Sequence, residues 1–189
     1  MGPDKLVLTD NKIAMFRYFT VDSNILIGLA ALILFGEERK YLKGVKRSIS
    51  SKAYIFKFIA TVGVTVTFLT VFLYLGPSSD GGLYSMLLNS NLFYHLIIPV
   101  LAIISFAFFE KSSKIKKSYV KYGMVPVLLY SMFYMTNVVT HIENSHVSTD
   151  YDWYWFVQNG LWKTFIVVPA MFLLTYIVSY ILWDVNNNK

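Results

Sequence analysis

The chain has 189 residues, 56% of them hydrophobic and only 15% charged, with a mean hydropathy of +0.51. A water-soluble domain is normally about one-quarter charged, so the composition argues against one and points to a bilayer, and the length suggests a single domain over residues 1–189. There are no cysteines, which excludes disulfides, thiolate catalysis and cysteine-ligated metals.

In chain order, the opening "MGPDKLVLTDNK" lacks the apolar core of a secretory signal peptide. Five apolar stretches follow, at residues 14–35, 54–75, 91–109, 119–140 and 161–183. Each is about 20 residues long, the length that crosses a hydrocarbon core of about 30 Å. The expected fold class is therefore an all-α integral membrane protein, a bundle of five transmembrane helices. No internal repeat interrupts this pattern.

The connecting loops divide by charge. "GEERKYLKGVKRSISSKA" carries Arg39, Lys40, Lys43, Lys46, Arg47 and Lys52, and "EKSSKIKKSYVK" carries Lys111, Lys114, Lys116, Lys117 and Lys121. Residues 76–90 and 141–160 contain no Lys or Arg. The positive-inside rule puts the basic loops in the cytoplasm, the N-terminus outside and the C-terminus inside a cell membrane. Trp153, Trp155 and Trp162 then fall near the outer surface and Trp183 near the inner one. Basic loops at an anionic inner leaflet account for the net charge of +6 without a nucleic-acid partner.

This orientation sorts the polar residues by depth. The stretch "FRYFTVDSNIL" opens the first span with Arg17, Thr20, Asp22, Ser23 and Asn24. At 1.5 Å per residue, Thr20 lies roughly 9 Å into that span. Asn91 and His95 open the third span, and Asn137 and His141 close the fourth, at similar levels. The inner halves of the spans read as nearly pure hydrocarbon. Thr20, Ser23 and Asn24 share one helical face, whereas Asp22 points elsewhere and needs its own partner: Arg17, a histidine or a proton. Ser and Thr in membrane helices usually bond back to their own backbone or glue helices together, the reading taken for Thr61, Thr65, Thr67 and Thr70. His95 stands apart as an ionisable group well inside a span.

A threonine hydroxyl becomes a nucleophile when a neutral imidazole takes its proton. Thr20 with His95 as base, and Ser23, Asn24, Asn91 and Asn137 as oxyanion or substrate-binding donors, would form an acyl-transfer centre at the depth of lipid ester carbonyls. Asp22 and Arg17 would support it. The spacing of His141, Glu143 and His146 in "HIENSH" does not place a metal set on one helical face, so no metal or other cofactor is expected. The same polar layer would equally suit a non-enzymatic protein that binds or transports a small molecule through an outer-facing pocket rimmed by "DYDWYWF", or simple helix locking.

"FRYFTVDSNILIGLAALI" resembles the F-T-x-x-S-N signature of the androgen-induced family of integral membrane proteins and their bacterial six-helix relatives. "FYHLIIPVLAIISFAFFE" is similar to that family's second signature, a histidine shortly before a proline in a membrane helix. "LLTYIVSYILWDVNN" is similar to its C-terminal helix. The animal members are threonine hydrolases that cleave fatty acid esters of hydroxy fatty acids. The resemblance implies Thr20 as nucleophile, His95 as base and a lipid ester as substrate.

Overall fold

A computed structural model describes residues 14–110, 114–143, 146–157 and 160–188, the side chains of His146 and Leu161 excepted. Lys111 and the opening segment lie outside the described residues. Among the described residues, four helices are long and apolar enough to cross a membrane: α1 (Phe19–Leu42), α2 (Ser51–Ser78), α4 (Lys117–Thr140) and α5 (Thr164–Asn187). The helix between them, α3 (Phe93–Phe109), is apolar but shorter, about 25 Å at 1.5 Å per residue. The sequence predicts five spans, and four reach spanning length.

α1 also starts and stops later than its apolar run predicts. A 3₁₀ turn, Ala14–Arg17, holds Arg17 ahead of the helix. At the other end the helix continues through Glu37, Glu38, Arg39 and Lys40, which are good helix formers. Arg39 and Lys40 lie in its last turn, where cations suit the helix dipole.

α2 is the central helix. Tyr54, Phe58, Val62, Val64 and Val66 are fully buried along it. Its threonines turn inward onto their own backbone: Thr61, Thr65 and Thr67 hydroxyls donate to the carbonyls of Lys57 (2.8 Å), Thr61 (2.7 Å) and Gly63 (3.3 Å). This is the i−4 bonding expected of them, while Thr70 reaches Met171 Sδ at 3.9 Å instead. Outer helices turn apolar side chains away from the bundle, with Leu129, Phe165 and Leu173 each more than 60% exposed. A lipid solvent is what makes that arrangement tolerable.

Close contact between α4, α5 and α2 depends on Gly123. A methyl there would strike the Ser179 hydroxyl and come within 3.1 Å of Val62. Ser179 Oγ donates to the Val120 carbonyl at 2.6 Å, fastening the two helices where the backbones approach.

One correction concerns the end of the bundle that carries the basic loops, which is not hydrocarbon throughout. Lys57 and Glu110, both buried, form an ion pair at 2.5 Å. Ser105 Oγ donates to the same carboxylate oxygen. Asn186 Nδ2 donates to the carbonyls of Phe106 and Glu110, each at 2.8 Å, and accepts from Tyr54 Oη at 2.8 Å. One lysine in a long apolar run barely moves a hydropathy average, so this cluster is invisible to composition.

At the opposite end, α4 is followed by a two-residue antiparallel ladder, β1 (Ile142–Glu143) with β2 (His146–Val147). Beyond it, the segment through residues 151–157 folds back onto the bundle. Trp153, Tyr154 and Val157 are buried there with Tyr18, Val21, Tyr134 and Val138.

Candidate functional site

The first turn of α1 is capped from a distance. Its N-cap residue, Tyr18, offers no side-chain hydrogen bond. Instead the Phe19 amide donates to the Tyr154 hydroxyl oxygen at 2.9 Å, so a tyrosine 135 positions away satisfies a free helix amide. Burial pushes the Tyr154 hydroxyl up to about 12, while the polar groups of Tyr130, Phe19 and Thr20 beside it act in the opposite direction. At neutral pH this hydroxyl is a neutral group facing Thr20.

The aromatic segment is held from below and within. Asp152, fully buried, accepts from the amides of Phe156 and Val157, each at 3.0 Å, and from the Tyr134 hydroxyl. Trp153 Nε1 donates to Tyr130 Oη at 2.9 Å, and Tyr130 donates to the Arg17 carbonyl at 2.6 Å. Beneath this cover lies a cavity of about 60 Å³, room for several methylene-sized groups. Val71, Val127, Val168 and Met171 give it apolar walls, and Tyr154 and Phe156 line it from the aromatic segment. Thr20 and Thr164 supply hydroxyls. Thr164 Oγ1 is buried and, among the described residues, has no hydrogen-bond partner.

The predicted site residues separate into three directions. Thr20 lines the cavity. Ser23 bonds to the Thr20 carbonyl at 3.2 Å and shares a 2.8 Å hydroxyl pair with Thr67, so it joins α1 to α2. Asn24 Nδ2 donates to the Thr20 carbonyl at 2.7 Å and the Tyr94 carbonyl at 3.1 Å, so it joins α1 to α3. Both act as interhelical ties, and Asn24 fixes the residue immediately before His95.

His95 is buried in a widened, π-type turn, Phe93–Ile97, that opens α3. Pro99 has no N–H for the His95 carbonyl four residues earlier, which accounts for the widening. The Met86 carbonyl lies 2.6 Å from His95 Nδ1. A carbonyl only accepts, so Nδ1 carries the proton and Nε2 of the neutral ring is an acceptor with no hydrogen bond among the described residues. His95 does not line the cavity that Thr20 lines. Among the described residues no hydrogen bond links the two.

The remaining members sit apart. Asn91 lies on the turn into α3, its Oδ1 buried without a hydrogen-bond partner among the described residues. Asn137 donates to the Tyr151 carbonyl at 3.1 Å and fastens the aromatic segment to the end of α4. Arg17 donates to Tyr18 Oη at 2.8 Å, with its guanidinium 5.0 Å and 5.7 Å from the Tyr18 and Trp153 ring centres. Asp22 faces a separate lateral groove. Tyr154, Tyr130 and Asp152 are the members that sequence reasoning missed. For Tyr154 and Asp152 the signal is the density of aromatic residues in "DYDWYWF", whereas Tyr130 is hidden in the apolar run of the fourth span.

Comparison with protein-family models, curated proteins and solved structures finds no match to this chain. Function is therefore argued from the site itself.

Proposed function

We propose that this is a multipass membrane protein that takes the acyl end of a lipid or lipid-like ester into the cavity beneath Tyr154 and meets its polar end with Thr20. The observation that carries this reading is the placement of the Thr20 hydroxyl on an otherwise largely apolar, covered cavity. The Thr164 hydroxyl, which has no hydrogen-bond partner among the described residues, supports it, because a buried polar atom is costly until something bonds to it. In the proposed topology α3 completes five spans, with basic loops in the cytoplasm, the N-terminus outside and the C-terminus inside. The cavity then lies in the outer half of a cell membrane.

Thermal shift tests the binding reading. Esters whose acyl group is only a few carbons long stabilise the wild type, and Val168→Trp, which fills the cavity, removes the shift without lowering the ligand-free melting temperature. Equal shifts in both proteins would refute it.

Hydrolysis is the second reading, favoured by His95: it is buried, its Nδ1 is anchored on Met86 and Nε2 is left to accept a proton. Thr20 Oγ would attack the ester carbonyl and pass its proton to Nε2. The leaving alkoxide would take that proton, and water would release the acyl group from Thr20. The Tyr154 hydroxyl stands close enough to Thr20 to donate to the oxyanion. The resemblance to intramembrane threonine hydrolases supports the same assignment. It requires Thr20 and His95 to come together when substrate is bound, a tightening that active sites often undergo. Fluorophosphonate labelling mapped to Thr20, and lost in folded Thr20→Ala and His95→Ala, supports hydrolysis. Absence of label on active binder leaves binding alone.

A further inference from the structure

A second recess opens on the flank of the bundle, between the start of α1 and the middle of α4. It measures about 640 Å³, within the usual size of a small-molecule site. Phe16, Phe19, Tyr130 and Phe133 contribute four aromatic rings to it, and Leu26 and Leu129 extend it along the helices. Phe16 and Phe133 are about half exposed and Leu129 more so, which makes this a lipid-facing opening.

Two charged residues line the recess, Asp22 and Arg17. Among the described residues Asp22 makes no ion pair and no side-chain hydrogen bond. The carboxylates found in ion pairs among the described residues are Glu37 and Glu110 instead. A carboxylate in such a place calls for a cation. The rings around it are suited to an ammonium group, since aromatic faces attract cations within about 6 Å. They are also held in place: Tyr130 is fixed by its bonds to Arg17 and Trp153, and packs its ring 5.1 Å from Phe19 and 6.3 Å from Phe133.

We propose that this groove binds the headgroup of a zwitterionic phospholipid, with the ammonium against Asp22 and the aromatic rings and the phosphate toward Arg17. The opposite charges, the aromatic lining and the lipid-facing mouth commit the site to a membrane lipid rather than a soluble amine. Phe19 and Tyr130 also line the cavity of Thr20, so they form the partition between headgroup and acyl sites. The groove stands on its own residues and does not require Thr20 to act.

Native mass spectrometry of the purified full chain tests this with dioleoyl phosphatidylcholine and dioleoyl phosphatidylglycerol in direct competition. Wild type should retain the phosphatidylcholine roughly five- to tenfold more, the size of a cation–aromatic contact with a carboxylate behind it. Asp22→Asn should erase the preference while leaving the cavity-dependent ester shift intact. Phe133→Leu, on the lipid-facing side where folding is unaffected, should reduce it. Equal retention by wild type, or a preference that persists in Asp22→Asn, would overturn the proposal. So would loss of bound phosphatidylcholine to millimolar choline alone, which would show a site for the free amine.

Discussion

Lys57 of α2 and Glu110, just beyond the end of α3, meet at 2.5 Å inside the bundle although they are 53 residues apart in the chain. Desolvating both ions is expensive, so the pair contributes little net stability, but removing one partner strands the other charge. Lys57→Met or Glu110→Gln alone is expected to destabilise the protein by about 3 kcal/mol or more. The double variant should recover most of that loss. Denaturation in detergent reads both values, and additive losses would show that the two residues do not act as a pair.

Gly123 permits a close approach of α4 to α5 and α2. Gly123→Ala is expected to cost about 1–3 kcal/mol through overpacking against Ser179 and Val62. Adding Ser179→Gly removes the obstructing side chain and should restore part of the melting temperature. Failure of that rescue would place the strain elsewhere.

Asn24 ties two helices through one side-chain amide. Asn24→Ala removes the donor that the Tyr94 carbonyl uses, at an expected cost of about 1–2 kcal/mol. Because Tyr94 precedes His95, the same change should alter the environment of the imidazole. A shifted His95 resonance in a selectively labelled sample checks this, and an unmoved one would uncouple Asn24 from the π-type turn.

Tyr154 gives a pH signature. Its folded value is raised to about 12 by burial, against about 10 for an unfolded tyrosine. The raised value means its contribution to stability is fully present below about pH 10 and is lost as pH rises toward 12. Between those limits the melting temperature of wild type should fall faster than that of Tyr154→Phe. Parallel curves would mean that Tyr154 is exposed to solvent.

Much of the architecture is legible from the sequence. The apolar runs locate the helices because burial in lipid requires about 20 such residues, and the threonines of α2 read as residues that bond to their own backbone or to a neighbouring helix. The site is less legible. Helical spacing correctly groups Thr20, Ser23 and Asn24 on one turn, but it cannot say which neighbouring helix each side chain meets. One turn therefore serves the cavity, α2 and α3 at once. The pairing of Lys57 with Glu110, and the capping of Phe19 by Tyr154, join distant parts of the chain and leave no local periodic trace. Asp22 is the instructive middle case: its separate direction was readable from a 200° offset, its aromatic surroundings were not.

The most direct measurement is photo-crosslinking of the purified protein with a diazirine-bearing fatty acyl ester, followed by peptide mapping. Adducts on the cavity walls, at Val71, Val168 and Met171, and their loss in Val168→Trp, are the expected result. Adducts confined to outward-facing residues such as Phe165 and Leu173, unchanged by Val168→Trp, would show that the acyl chain never enters beneath Tyr154.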